Sequence, residues 1–102
     1  MKTFTICGSM RFEKQMKDIA FKLETLCGFN ILQCTYNENS AVLSYDEAEN
    51  LVNAHFKKID ISDGIYVLNI DGYIGESTKS EIEYAKKNNK EIIFHSDFYS
   101  KL

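Results

Sequence analysis

The sequence predicts a single α/β domain, residues 1–102, in which a small parallel sheet is covered by helices on both faces. Two observations support this fold class. Strand-like and helix-like segments alternate along the chain, from a first strand to a fourth. Residues 65–70, IYVLNI, form an almost unbroken apolar run, which is typical of a parallel strand buried on both faces.

The first strand is Thr3–Cys7, and Gly8 and Ser9 turn the chain after it. Residues 10–27 predict a helix because apolar side chains recur at steps of three and four. This stripe consists of Phe12, Met16, Ile19, Ala20, Leu23 and Leu26. Gly28 follows the helix where a left-handed C-terminal cap is expected.

The middle of the chain predicts a second strand, a loop and a second helix. The strand is residues 29–34, and residues 35–43 form a polar loop long enough to bind a ligand. Ser44 and Glu47 make a capping box that opens a helix running to about Ile61. Its inward stripe is Ala48, Leu51, Val52, His55 and Ile59.

After the third strand, a loop at residues 71–76 leads into a helix predicted at residues 77–89. Ser77 and Thr78 are candidate N-caps, and Thr78 and Glu81 have capping-box spacing, so Glu81 is expected in the first turn. The inward side chains of this helix are Ile82 and Ala85.

A fourth strand at residues 90–94 completes the sheet, and residues 95–102 form a tail that either makes a short turn or packs on a partner. Right-handed crossovers favour a doubly wound, flavodoxin-like or Rossmann-like sheet in the order 2-1-3-4. The loops that follow strands one and three then meet at the switch point. They bring the single arginine, Arg11, close to a helix N-terminus, a combination that favours an anion.

The composition excludes several classes of function. A net charge of −3 gives no sign of a surface for a nucleic-acid polymer. The chain has three cysteines, Cys7, Cys27 and Cys34, and no C-x-x-C pair, which fits reduced thiols in a cytoplasmic protein. We expect Cys7 to be a buried strand residue rather than a nucleophile. No apolar run approaches the roughly 20 residues that cross a bilayer, so no membrane association is expected.

Motifs for cofactors and for other catalytic sites are missing. The segment CGSMR at residues 7–11 has one glycine and therefore lacks the Gly-x-Gly-x-x-Gly fingerprint of dinucleotide sites. The sequence has no P-loop, no serine-hydrolase elbow and no cluster with metal-ligand spacing. We therefore expect neither an organic cofactor nor a metal.

Two segments, CGSMR at residues 7–11 and GYIGESTKSEIEYA at residues 72–85, carry a family resemblance. They resemble motifs of the nucleoside 2-deoxyribosyltransferase superfamily, especially the branch that includes the 2′-deoxynucleoside 5′-phosphate N-hydrolase. The resemblance covers roughly residues 3–94. It implies cleavage or transfer of the N-glycosidic bond of a small-molecule deoxynucleoside or deoxynucleotide, by a homodimer or higher homo-oligomer.

The resemblance also implies roles for individual residues. Glu81 attacks the anomeric carbon of the deoxyribose, while Gly8, Ser9 and Arg11 lie at the nucleotide. Further phosphate contacts come from Gly75, Ser77 and Thr78. This chemistry suits a carboxylate, because it can capture the oxocarbenium-like sugar as a glycosyl-enzyme that water or a second base then releases.

The acid that protonates the departing base has several candidates. The family has an acidic residue at the position that aligns with His55. Because histidine exchanges protons near neutral pH, His55 can serve as this acid, or it can be a core or interface histidine. Asp60 and Asp63 are alternatives. Asp71 and Glu76 lie at the correct end of the sheet and can contact a sugar hydroxyl or a base.

Structural roles are the alternative for several of these residues. Glu81 can be only the third residue of a capping box, and Ser77 and Thr78 are helix caps in either interpretation. Tyr73 either stacks on a base or covers the pocket.

Two other functions stay open. A non-enzymatic nucleotide-binding or sensor domain would use the same pocket. A phosphoribohydrolase of the cytokinin-activating type has a comparable Gly-Thr-x-x-Glu motif, but the Pro-Gly-Gly stretch of that family is missing from this sequence. The transferases continue further, whereas this sequence ends eight residues after its fourth predicted strand, which favours a minimal hydrolase or a binding module over base transfer.

Overall fold

The computed structural model describes residues 1–98 and confirms the predicted α/β fold. The four strands form one sheet in the order β2-β1-β3-β4, and every neighbouring pair is parallel. The elements are β1 (Thr3–Cys7), a 3-10 turn (Met10–Phe12), α1 (Glu13–Cys27), β2 (Asn30–Leu32), α2 (Tyr45–Asp60), β3 (Gly64–Val67), a second 3-10 turn (Ile70–Gly72), α3 (Glu76–Lys87), β4 (Glu91–Phe94) and α4 (His95–Phe98). The last part of the predicted tail, residues 99–102, lies outside the described residues.

The two central strands divide the core into two layers, because successive side chains of a strand point to opposite faces. One layer packs against α1 and contains Phe4, Ile6, Met16, Ala20, Leu23, Ile31, Tyr66 and Leu68. The other layer packs against α2 and α3 and contains Cys7, Ile59, Ile65, Val67, Ile82 and Ala85. Burial of both faces explains the apolar run that the sequence shows at residues 65–70.

The first strand has the predicted bounds, Thr3–Cys7, whereas the other three strands are shorter than the sequence predicts. The third strand ends at Val67 rather than Ile70, although the Leu68 N–H still donates to the Cys7 carbonyl at 2.8 Å. The chain then turns, because Asp71 takes a left-handed conformation with φ of 54°. The second strand covers only Asn30–Leu32.

The first helix follows its prediction with two differences. Its first residues form a 3-10 turn, and Gly28 closes it in the left-handed conformation with φ of 70°. Leu26 is 62% exposed, so its place in the apolar stripe was wrong. Cys27 takes that place, because it lies four residues after Leu23, while Leu26 is rotated by about 100° from Cys27 around the helix.

The second helix begins with the predicted capping box between Ser44 and Glu47. Its predicted inward stripe holds for two of five residues, because Ala48, Leu51 and Val52 are exposed, whereas His55 is partly buried and Ile59 fully buried. The reason is length: 16 residues of helix extend about 24 Å, but a four-residue strand covers only about 13 Å. The first turns of α2 therefore project beyond the carboxyl ends of the strands.

The predicted tail begins as a helical turn that packs on the same molecule. Ser96 N donates to the Asn69 Oδ1 at 3.0 Å, and the Phe98 ring lies edge-on to the Tyr66 ring with centroids 5.9 Å apart. Tyr66 also contacts His95, through a 2.6 Å hydrogen bond between the Tyr66 hydroxyl and His95 Nδ1. The start of the tail thus closes the α1 layer of the core.

Gly64 is the glycine whose replacement should cost most stability. A Cβ atom at this position would lie 2.3 Å from the Glu91 carbonyl oxygen, which is fixed in β4. We expect Gly64→Ala to lower the free energy of unfolding by about 2 kcal/mol or more. Urea denaturation measures this change. Gly75→Ala is the matched control, because its Cβ would have only ordinary contacts, the nearest at 3.8 Å, and equal losses in both variants would contradict the prediction.

Candidate functional site

A cavity of about 570 Å³ lies at the carboxyl ends of β1 and β3, where the sequence predicted the binding site. Its floor comes from the two loops that follow these strands, and the projecting part of α2 forms a wall. The lining residues are Ile6, Gly8, Ser9, Met10, Cys34, Thr35, Leu51, Val52, His55, Phe56, Gly75, Glu76, Ser77, Thr78, Ser80 and Glu81.

Glu81 reaches the cavity from the second turn of α3, so the predicted capping box between Thr78 and Glu81 was wrong. The helix begins at Glu76, with extended Gly75 as its N-cap, and the Lys79 N–H donates to the Gly75 carbonyl at 3.0 Å. This earlier start buries Thr78 against the sheet. Glu81 lies about 100° from Ile82 around the helix, at the edge of the buried face, and its side chain is 14% exposed.

His55 meets Glu81 across the cavity. It lies four residues before the buried Ile59 and therefore on the same inward face of α2. Its Nε2 atom is 3.3 Å from Glu81 Oε1, and its side chain is 12% exposed. The other ring nitrogen, Nδ1, is buried and has no hydrogen-bond partner within residues 1–98.

Cys7 is the third member of this group. It is the last residue of β1, is 1% exposed, and its Sγ lies 3.5 Å from His55 Nε2. Burial raises the pKa of the Cys7 thiol well above its ordinary value, and the neighbouring Glu81 carboxylate raises it further. The thiol is therefore protonated at neutral pH, which agrees with the expected buried strand residue.

The start of α3 offers backbone N–H groups to the cavity. The prediction that Ser77 and Thr78 cap this helix was wrong, because both lie inside it and no side chain of the described residues caps it. The first N–H groups of α3 have no intrahelical acceptor. Ser77 lies exposed beside them. On the other side, Gly8 packs closely, since a Cβ there would lie 3.1 Å from Met16 Sδ and 3.2 Å from Leu68 Cβ. Ser9 Oγ accepts a hydrogen bond from the Arg11 N–H at 3.3 Å.

Three predicted binding residues lie outside the cavity lining. Arg11 is exposed and stacks its guanidinium over the Tyr73 ring, 4.1 Å from the centroid. The Tyr73 ring also meets Phe12 edge-on, with centroids 6.0 Å apart. Asp71 is exposed in the second 3-10 turn. Arg11 and Tyr73 therefore form an exposed cluster, and neither they nor Asp71 line the cavity.

The alternative acids occupy different places. Asp63 Oδ2 accepts from the Thr3 N–H at 2.8 Å, at the amino end of the sheet and away from the cavity. Asp60 accepts a hydrogen bond from the Tyr84 hydroxyl and is exposed. Glu76 lines the cavity but is exposed, with Oε1 3.2 Å from Lys79 Nζ. Of the acidic candidates, Glu81 is the carboxylate that the fold brings to His55.

Sequence reasoning missed several lining residues. Cys34, Thr35, Phe56 and Ser80 line the cavity without having been singled out for it. Cys7 is not among the lining residues, since it is buried at the end of β1 as the sequence predicted.

Comparison of the chain with protein-family models, with curated proteins and with solved structures finds no match. Within residues 1–98, none of the helices combines the length and the apolar character needed to cross a membrane. The functional assignment therefore depends on the site geometry and on the two motifs.

The buried thiol gives a direct test of the site. We expect iodoacetamide to modify Cys7 at least about tenfold more slowly than Cys27 in the folded protein, because the Cys7 thiol is buried and its pKa is raised, whereas Cys27 is partly exposed. Peptide mass spectrometry at timed intervals measures both rates. In denaturant the difference should disappear, and equal rates in the folded protein would contradict the arrangement.

Proposed function

We propose that this domain cleaves or transfers the N-glycosidic bond of 2′-deoxynucleosides or their 5′-monophosphates, with Glu81 as the nucleophile. The observation that supports this most is the carboxylate of Glu81, largely buried in the cavity and 3.3 Å from His55 Nε2. The family resemblance of residues 7–11 and 72–85 points to the same residue.

The proposed reaction begins with attack of a Glu81 carboxylate oxygen on the anomeric carbon. The bond from that carbon to the base nitrogen breaks, and the sugar is held as a glycosyl ester on Glu81. Water or a second base then attacks the same carbon, gives a proton to His55, which protonated the first base, and releases the carboxylate. This chemistry needs no organic cofactor and no metal.

His55 is the proposed proton donor to the departing base. It faces Glu81 across the cavity, so a sugar placed on the carboxylate lies within reach of the imidazole. Thr78 and Ser77 lie at the start of α3, where unpaired N–H groups and the helix dipole favour a 5′-phosphate. Arg11 lies outside the lining and would contribute positive charge from the cluster with Tyr73.

A nucleotide-binding domain without catalysis is the second candidate. One observation favours it: Glu81 Oε1, one of the two oxygens able to attack the sugar, already contacts His55 Nε2. If the other oxygen also fails to reach the anomeric carbon in the complex, the pocket binds a nucleotide and does not turn it over.

Turnover separates the two candidates. We expect the pure protein to release free base from deoxynucleosides or their 5′-monophosphates, and to exchange bases if a foreign base is accepted. Glu81→Gln should lower the rate at least about 100-fold, because a neutral amide is a poor nucleophile. Chromatography measures the released base, and mass spectrometry of the wild type detects the sugar on Glu81.

Glu83→Gln is the matched control for this variant. Glu83 lies on the same helix but on its exposed side, and its Oε1 is 3.9 Å from Lys86 Nζ. It should retain activity within a few-fold. Thermal stabilisation by deoxynucleotides without any free base, in the folded wild type, would favour the binding domain and reject the enzyme.

We also propose that the protein is a cytoplasmic homodimer. The three free thiols fit a reducing compartment. The first turns of α2 present an exposed apolar stripe, defined as Tyr45, Ala48, Leu51 and Val52. Tyr45 is 79% and Val52 53% exposed, and they lie seven residues apart on one helix face. A second copy seated on this stripe would also close the cavity wall.

Sedimentation tests the dimer. The wild-type protein should sediment at twice the 11.8 kDa chain mass, and Tyr45→Lys with Val52→Lys should shift it toward the monomer, because charges in an apolar contact are unpaired. Phe21→Lys is the control, since Phe21 is 63% exposed on α1, in the opposite layer. A wild type that sediments at 11.8 kDa at every concentration would refute the homodimer.

A further inference from the structure

Three side chains that are distant in sequence converge beside the cavity, which His55 and Glu81 line and the buried Cys7 does not. Cys7 Sγ, His55 Nε2 and a carboxylate oxygen of Glu81 all lie within 4.8 Å of one another. The sulfur is 3.5 Å from the imidazole nitrogen, which is 3.3 Å from Glu81 Oε1. Thiol, imidazole and carboxylate are each metal ligands, and they come from β1, α2 and α3.

A single nitrogen, His55 Nε2, makes both contacts, so it can form an ordinary hydrogen bond with only one of the two groups in either tautomer. The Nε2 atom has a single position, which is either a proton or a lone pair. As a donor it serves Glu81, and the Cys7 S–H is left to the Thr5 carbonyl, 3.8 Å away, or to the Glu81 carboxylate. As an acceptor it serves Cys7 and faces the Glu81 carboxylate with a lone pair. A cation between the three atoms satisfies all of them at once.

The distances match the first shell of a tetrahedral zinc site. Bonds of about 2.3 Å to sulfur and about 2.0 Å to nitrogen or oxygen give tetrahedral edges of about 3.5 Å for S···N and about 3.3 Å for N···O. The two measured distances agree with these edges. The third edge, between Cys7 Sγ and the Glu81 oxygen, lies within 4.8 Å and needs to be about 3.5 Å, so an approach of these two side chains by up to about 1.3 Å completes the site.

We propose that Cys7, His55 and Glu81 form a binding site for zinc or a similar borderline divalent ion, with the fourth ligand position open to the cavity. The ligand set selects this class of ion, because Mg²⁺ and Ca²⁺ prefer oxygen ligands only. A thiolate and a carboxylate balance the charge of a divalent ion. On binding, the Cys7 sulfur–hydrogen bond breaks, the proton goes to solvent, and the sulfur keeps the electron pair.

The site has an incomplete outer shell. Metal-bound histidines usually donate their second N–H to an acceptor, and loss of that partner typically lowers affinity about 10- to 100-fold. His55 Nδ1 has no such acceptor within residues 1–98. We therefore expect the ion to bind reversibly and to be removed by chelators while the protein stays folded.

Metal binding would also regulate the site, and this part rests on the proposed function. Glu81 cannot attack a sugar with an oxygen that is bound to the ion, and the ion would occupy the space beside His55. Zinc is then expected to inhibit release of the base in competition with the deoxynucleotide substrate.

Cobalt(II) titration of the chelator-treated protein tests the site without any need for turnover. We expect one equivalent of cobalt to give intense visible d–d bands of tetrahedral Co²⁺ and a thiolate-to-cobalt charge-transfer band, both abolished by zinc. Cys7→Ser should remove the charge-transfer band and lower cobalt affinity at least tenfold. Glu81→Gln should keep that band and weaken binding, which covers the case in which Cys7→Ser folds poorly.

Cys34→Ser is the matched control, because Cys34 lines the same cavity but is not among the three converging ligands. Its spectrum should equal that of the wild type. Absence of the bands in wild type with excess cobalt, or their loss in Cys34→Ser and retention in Cys7→Ser, would overturn the metal site. If the cobalt bands appear but no free base is released, the metal site is supported and the proposed enzyme is rejected. If free base is released but no bands appear, the enzyme is supported and the metal site is rejected.

Discussion

The parallel pairing of β1 with β3 is the contact on which the rest of the structure depends. Phe4 pairs with Gly64 and Cys7 with Val67, so the two strands end at the same edge of the sheet. Because parallel strands run in the same direction, both strands end at this edge, and each is followed there by a loop and then a helix. The cavity exists because these two strand ends lie side by side, and the close approach at Gly64 allows β4 to join the same sheet.

Much of the fold could be predicted from the sequence because local chemistry and global topology agree. Alternating segments, the apolar third strand, Gly28 and the Ser44 capping box each predict one feature, and right-handed crossovers leave few arrangements. The element bounds were less predictable. The Thr78 capping box satisfied the spacing rule, but extended Gly75 starts α3 earlier and Thr78 is buried instead.

The site was predictable in part, to the extent that its residues follow strand ends. The sequence predicted that Glu81 and the Gly8 loop belong to one site, because the predicted strand order places the segments after β1 and β3 side by side. The contact between Cys7 and His55 was not foreseeable from spacing, since 48 residues separate them and the register of α2 against the sheet determines it. Arg11 shows the opposite case: the correct loop was identified, but its side chain stacks on Tyr73 outside the cavity lining.

The two halves of α2 have different roles, one in the cavity wall and one in the core. Ile59 and the lower part of the helix hold the core, whereas Leu51 and Val52 line the cavity and contribute little to that core. Substitutions in the upper turns can therefore alter the shape of the wall at small cost in folding stability. A domain built in this way can change its ligand during evolution more easily than one whose cavity wall is also its core.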